Sequence, residues 1–242
     1  HRDLHSFPTR RSSDLSPNGA NGMLITTSNH VGTHLDGPLH FDTPGRDIAA
    51  LEMDKLMGPG VVVDLSDISE DWSIYTPQDI MDRVEVKTGD ILYINTGYHR
   101  YGFDQPEADE RRYMLRHPGP SMDFVDWVKD MKIKHIAVDC GSADHPMNTK
   151  IRDWEPAEAL ACDKFMKERY GKALDEIYHW PDTYQAMHIM LFPKPWECIH
   201  AENIGGEIDK VLNKRLILGT LPWKFQYGES AFCRCIAIDE VE

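Results

Sequence analysis

Short apolar runs separated by turn residues dominate the hydrophobic pattern of this chain. Several of them are rich in β-branched residues and only three to eight residues long, which predicts strands, the longer runs being buried. The predicted strands are residues 22–28, 61–65, 91–95, 133–138, 216–218 and 231–238.

Helical spacing of apolar residues occurs between these runs. It predicts helices within residues 47–57, after residues 119–121 and over residues 156–170. The clearest helix start is Thr76-Pro77-Gln78-Asp79, which combines a capping threonine, a proline in the first turn and an acid three residues after the cap.

Residues 28–41 break this pattern and concentrate chemical side chains. Three histidines and an aspartate fall within eleven positions, among glycines and a proline. A helix would place His30 and His34 on one face, but Gly32 and Pro38 disfavour a helix here. An extended chain fits better, and it points His34 and Asp36 to the same side because side chains alternate along a strand.

The spacing suggests which of these residues bind a metal. Two residues of extended chain advance about 6.6 Å, so His34 and Asp36 can reach one ion. In a straight strand Asp36 and His40 are about 13 Å apart, too far to share a metal unless Gly37 and Pro38 bend the chain. We therefore expect His30, His34 and Asp36 to bind the metal and His40 to act as an acid or base. The alternative is a surface loop that is merely rich in histidine, but the density of mixed nitrogen and oxygen ligands favours a metal site.

The pattern His30-x-Gly32-Thr33-His34-x-Asp36-x-Pro38-x-His40 resembles the signature of the metal-dependent cyclase-like hydrolases. This family includes bacterial kynurenine formamidases and isatin hydrolases. Weaker similarity continues to about residue 229. The resemblance implies that His188 and Glu202 complete the metal and catalytic site. It also implies an α/β fold, a single layered β/α domain of the swivelling β/β/α kind with a mixed, largely internal sheet, in homodimers or homotetramers.

The expected chemistry is hydrolysis. A bound metal lowers the pKa of water, and the resulting hydroxide attacks a carbonyl carbon. His40, helped by Glu202, would then pass a proton to the leaving nitrogen. The resemblance narrows the substrate to a small amide, either an N-formyl aryl amine or a cyclic amide, so the expected enzyme is an amidohydrolase acting on non-peptide C–N bonds. One or two ions of zinc or manganese suit these ligands.

Other interpretations remain open at this point. The chain could hydrolyse a different C–N or C–O substrate, or could be a catalytically impaired homologue that only binds metal. Four aromatic residues are candidates for a substrate wall or for the core, namely Tyr98, Tyr101, Trp223 and Phe225. The sequence contains no Gly-x-Gly-x-x-Gly, Walker-type or Gly-x-Ser-x-Gly motif.

Composition limits the partners and the compartment. A formal net charge of −14 disfavours nucleic acid and anionic membranes as partners. Five cysteines at irregular spacing predict reduced thiols in the cytoplasm. No apolar run approaches the roughly 18 residues of a membrane helix, and no signal-peptide core is evident. Residues 1–15 lack periodicity and look like non-native or disordered sequence, so we assign the domain to residues 16–242.

Overall fold

A computed structural model gives the fold and describes residues 24–239. The predicted non-native segment, residues 1–15, and the first two residues of the predicted strand 22–28 lie outside the described residues. Within residues 24–239 no helix is long and apolar enough to span a membrane.

The strands of the described chain form one closed sheet and one small pair. They are β1 (His34–Asp36), β2 (Met57–Asp64), β3 (Ile74–Tyr75), β4 (Ile91–Asn95), β5 (Gly119–Pro120), β6 (His135–Val138), β7 (Ile199–Glu202), β8 (Lys214–Pro222) and β9 (Ser230–Ile238). Seven of them close into a barrel in the order β1-β7-β6-β4-β2-β8-β9, while β3 pairs with β5. Strands β2, β4, β6 and β7 are parallel, and β1, β8 and β9 join them antiparallel. The sheet is therefore mixed, as predicted, and it has no free edge.

Short helices fill the connections and cover part of the barrel. They are α1 (Met53–Leu56), α2 (Pro77–Met81), α3 (Glu110–Leu115), α4 (Asp123–Asp130), α5 (Ile151–Trp154), α6 (Pro156–Tyr170), α7 (Leu174–Tyr178) and α8 (Ala186–Leu191). Five 3-10 turns accompany them in the described chain, at Pro38–His40, Ile48–Ala50, Tyr98–Tyr101, Pro146–Asn148 and Ile208–Lys210.

Side-chain alternation along the strands produces two apolar clusters. On β4, Ile91 and Tyr93 belong to a cluster to which all seven barrel strands contribute, and this cluster fills the barrel. Leu92 and Ile94 point the other way and pack with residues of α2, α4 and α8. Because such strands are buried on both faces, they consist of nearly continuous apolar residues, and this pattern allowed them to be predicted from the sequence.

Most predicted elements are confirmed. Helix α6 has the predicted bounds, and Thr76 and Asp79 form the predicted capping box at the start of α2. Residues 24–28 form no strand, and Leu24 is 83% exposed. Residues 47–57 form a 3-10 turn and the four-residue α1 in place of one helix.

Candidate metal centre

The pairing of β1 with β7 brings the two halves of the site together. In this antiparallel register His34 lies opposite Glu202, and Asp36 lies opposite His200. His34 and Asp36 are two residues apart and share one face of β1, whereas Leu35 points into the barrel core. The polar side chains therefore lie on the outer face of the barrel wall, where α8 adds His188.

His34, Asp36 and Glu202 form the buried centre of the site. Each offers a ligand atom within 4.8 Å of the others. The Nε2 atom of His34 lies 3.5 Å from Asp36 Oδ1 and 3.7 Å from Glu202 Oε2. Within the described part of the chain, His34 Nε2 and Asp36 Oδ1 are buried and make no hydrogen bond of good geometry, although His30 Nδ1 lies 3.1 Å from Asp36 Oδ1. Buried polar atoms usually make well-formed hydrogen bonds, so a cation bound between these two atoms would complete their contacts.

His188 approaches the same centre from α8. Its Nε2 lies 3.3 Å from Glu202 Oε1 and 3.7 Å from Asp36 Oδ2. Its Nδ1 lies 2.6 Å from Asp144 Oδ2, a carboxylate that also accepts from the backbone amides of Met187 and His188. Because a carboxylate can only accept, Nδ1 carries the proton and Nε2 faces the centre.

The other residues of the centre are oriented in a similar way. His34 Nδ1 lies 2.8 Å from the carbonyl oxygen of Gly32, which directs its Nε2 inward. Glu202 Oε1 accepts from Ser142 Oγ at 3.1 Å and from the Ala143 amide at 2.8 Å. Outer contacts of this kind fix metal ligands in their binding orientation.

A second group adjoins the first and shares Asp36 with it. Ligand atoms of His30, Asp36, His40 and Glu229 lie within 4.8 Å of one another. Glu229 Oε2 lies 2.9 Å from His30 Nε2 and 3.0 Å from His40 Nδ1, and His30 Nδ1 lies 3.1 Å from Asp36 Oδ1. The 3-10 turn at Pro38–His40 bends the chain after β1. This bend brings His40 close to Asp36, whereas a straight strand would hold the two residues about 13 Å apart.

The electrostatics of the centre favour positive charge. Burial opposes protonation of His34, yet the neighbouring carboxylates of Asp36 and Glu202 raise its pKa to about 9. Burial likewise opposes a charge on His188, but Asp144, Asp36 and Glu202 raise its pKa well above the usual value. Although burial would raise the pKa of Asp36, the three surrounding imidazoles hold it well below its usual value. A metal cation would replace these protons on the same nitrogens.

His40 differs from the other histidines of the site. Burial lowers its pKa despite the nearby Asp36, so the ring is neutral at pH 7. Its Nδ1 faces the Glu229 carboxylate, which favours the tautomer with the proton on Nδ1. That leaves Nε2 with a lone pair. Because the side chain is 26% exposed, Nε2 can exchange a proton with a bound molecule.

The structure places all six predicted site residues close to one another, in two adjoining groups. His34, Asp36, Glu202 and His188 surround the buried centre, whereas His30 and His40 belong to the adjoining group. Sequence reasoning assigned neither Glu229 nor Asp144 to the site. No local motif marks Glu229, which precedes β9.

The aromatic residues near the site also differ from the candidates in the sequence. The Phe41 and Phe192 rings each lie 5.2 Å from the His188 ring. Tyr98 and Tyr101 are buried in the cluster between the sheet and the helices, and Trp223 is 54% exposed. The His200 ring packs edge-on against the His188 ring, with a centroid distance of 4.9 Å. Burial lowers the pKa of His200 well below the usual value.

Asp144 should act by positioning His188. We expect Asp144→Asn to weaken metal affinity by about 10- to 100-fold, the usual effect of altering the partner of a metal-binding histidine. The replacement keeps the side-chain shape but removes the charge that holds the Nδ1 proton. Metal titration with a competing chelator measures the affinity, and thermal unfolding of the metal-free protein checks the fold. The exposed Asp153→Asn is the control. An unchanged affinity in Asp144→Asn would contradict the positioning role.

Comparison with known proteins gives three kinds of match. Residues 3–145 match a protein family model named Cyclase and described as "Putative cyclase", a range that includes the segment from His30 to His40 and Asp144.

The kynurenine formamidase of Bacillus cereus (strain ATCC 14579) is 27% identical over 126 residues, covering 52% of this chain and 54% of that protein. The kynurenine formamidase of Erythrobacter litoralis (strain HTCC2594) is 26% identical over 153 residues, 63% of this chain and 62% of that protein. The chain thus spans about half to two thirds of the length of these curated relatives.

Solved structures show the same fold. An isatin hydrolase bound to the product analogue thioisatinate has a TM-score of 0.66 at 19% identity, over 95% of this chain and 79% of that chain. Isatin hydrolase A from Ralstonia solanacearum has a TM-score of 0.66 at 17% identity, over 90% and 75%. Another match is described as a potential metal-dependent hydrolase with cyclase activity, with a TM-score of 0.57 at 17% identity, over 90% and 83%.

Proposed function

The chain belongs to the Cyclase family, and from that premise we propose that it is a metal-dependent hydrolase of a small amide. The observation that carries the proposal is the convergence of His34, Asp36 and Glu202 at the buried centre. Two of their buried atoms make no hydrogen bond of good geometry within the described chain. A purely structural cluster would give such atoms well-formed hydrogen bonds, because a buried polar atom left unsatisfied costs about 1–3 kcal/mol.

The residues present fit a divalent cation. Imidazole nitrogens and carboxylate oxygens are the ligands of zinc and manganese sites. His34, Asp36, His188 and Glu202 would hold an ion at the buried centre. His30, which contacts Asp36, would extend the ligand set, and Glu229 places a further carboxylate beside His30. When bound, the ion would lower the pKa of water and polarise the substrate carbonyl.

His40 has the geometry of a proton-transfer residue. Its neutral ring presents Nε2 as a base, while Glu229 at Nδ1 stabilises the positive charge that forms when the ring takes a proton. In this proposal His40 accepts a proton from the attacking water and delivers it to the leaving nitrogen. Glu202, held by hydrogen bonds from Ser142 and Ala143, assists this proton transfer.

The proposed substrate is an aryl formamide or a cyclic aryl amide. The names of the relatives, kynurenine formamidase and isatin hydrolase, support these two classes. Phe41 supplies a partly exposed apolar ring 4.6 Å from the His40 ring, against which a flat aromatic substrate could pack, whereas Phe192 is fully buried. Both classes share one step, attack of water on a carbonyl carbon with departure of an aryl nitrogen.

Chelation provides the direct test. We expect the protein as purified to hydrolyse N-formylkynurenine or isatin. Exhaustive chelation should lower that rate by at least about 100-fold, because without the ion neither the activation of water nor the proton transfer that depends on it can occur. Stoichiometric zinc or manganese should restore the rate. Product formation is followed by absorbance, with metal content measured in parallel. Stoichiometric metal binding without turnover of either substrate would favour the metal-binding homologue, and turnover that resists chelation would contradict the proposal.

A further inference from the structure

A separate cavity of about 320 Å³ lies beside the beginnings of the parallel strands. It is bordered by the end of α4, the residues leading into β6 and β7, and the last residue of α8. Glu202 of the metal centre is the final residue of β7, whereas Cys198 at this cavity immediately precedes β7. The cavity therefore adjoins the opposite end of that strand.

The lining of this cavity is unusually basic for the chain. Four of its ten lining residues are lysines, namely Lys55, Lys129, Lys132 and Lys134, and none is an aspartate or glutamate. The whole chain, by contrast, has 40 acidic and 26 basic residues. Lysines gathered without acids create a local positive potential, which attracts anions.

These lysines are poorly neutralised within the described residues. No carboxylate there lies within 4.0 Å of the ammonium groups of Lys55, Lys132 or Lys134, and Lys129 reaches only the exposed Asp126, at 3.9 Å. Lys55 instead donates to the carbonyl oxygens of Trp196 and Glu197, at 3.3 and 3.1 Å. Those bonds fix the position of its ammonium group but leave its charge available.

The backbone makes room for one of the charges. A Cβ atom at Gly58 on β2 would lie 2.7 Å from Lys134 Nζ. The glycine therefore allows the Lys134 ammonium to lie against the strand beside the cavity. A side chain at this position would push the ammonium aside.

The remaining wall is apolar. Val128, Ile133 and Leu191 are buried, and Trp196 is 37% exposed. Small-molecule sites combine an apolar wall with a few polar groups, and a volume near 300 Å³ is at the small end of their range. Lysine ammonium groups bind carboxylate and phosphate oxygens through charge-assisted hydrogen bonds.

We propose that this cavity is a binding site for a small organic oxyanion, a carboxylate or phosphate carried on an aromatic or similar apolar body. The lysines bind the oxyanion, and Trp196 with its aliphatic neighbours packs against the body. The site is separate from the metal centre, and the proposal does not depend on the hydrolase activity.

Calorimetric titration of the full chain at low ionic strength tests this site. The probes are benzoate, phenyl phosphate and inorganic phosphate. We expect one phenyl phosphate or benzoate per chain, with inorganic phosphate binding at least about tenfold more weakly because it has no apolar body to bury. Comparison of the two aromatic probes identifies the preferred oxyanion.

Variants locate the binding. Lys55→Gln and Lys134→Gln should each lower the affinity for the preferred aromatic probe by about tenfold or more, since each removes a charged hydrogen-bond donor. Lys172→Gln, an exposed lysine outside the cavity, should bind like the unmodified protein. Binding should also survive in His34→Ala, which alters only the metal centre. Circular dichroism and thermal unfolding confirm that each variant is folded.

Several results would overturn the proposal. They are absence of binding at millimolar probe, equal affinity for inorganic phosphate and phenyl phosphate, loss of binding in His34→Ala, or equal effects of Lys134→Gln and Lys172→Gln.

Discussion

Asp36→Ala should leave the protein without stoichiometric metal and lower its turnover by more than about 100-fold. Altering a residue behind a metal ligand already costs about 10- to 100-fold, so removing a central carboxylate should cost more. Asp36 is shared by both groups of ligand atoms, and its side chain is 1% exposed. His30, His34 and His188 would then face one another with less negative charge between them, which weakens the attraction for any cation.

Metal content by elemental analysis and turnover should be measured on the same preparation. Asp54→Ala, an exposed aspartate in α1, is the matched control and should keep both. Thermal unfolding of the metal-free proteins separates loss of metal from loss of fold. A folded Asp36→Ala protein that retains a full equivalent of metal would show that the ion is held elsewhere.

His40→Ala should keep most of its metal at the buried centre while losing on the order of 100-fold or more in turnover, the usual effect of removing a proton-transfer group. The residue lies outside the group formed by His34, Asp36 and Glu202, and its neutral ring faces Glu229. Added imidazole should recover part of the rate if the missing function is proton transfer.

Glu202→Ala provides the contrast. Its carboxylate lies 3.3 Å from His188 Nε2 and 3.7 Å from His34 Nε2, so its removal should reduce metal affinity as well as turnover. Metal content and turnover of the two variants, measured together, distinguish the roles. A metal-free His40→Ala beside a fully loaded Glu202→Ala would reverse them and would make His40 a ligand.

Local sequence determined the elements and the inner half of the site. His34 and Asp36 share a face because two residues of strand separate them, and the capping box of Thr76 and Asp79 depends on residues three apart. The helix over 156–170 and the apolar strands also follow from near neighbours. For such features the interacting groups are close along the chain, so periodicity and turn residues specify them. His188 and Glu202 were found only through the family resemblance.

Tertiary structure decided the remaining geometry. The β1–β7 register sets Glu202 opposite His34, and closure of the sheet through the β1–β9 pair removes its edges. The turn before β9 brings Glu229 between His30 and His40, and Asp144 reaches His188 across 44 positions. The bend at Gly37 and Pro38 could be anticipated, but where it carried His40 could not. Each of these contacts joins segments far apart in the chain, and the strand register and packing that bring them together leave no periodic signal in either segment.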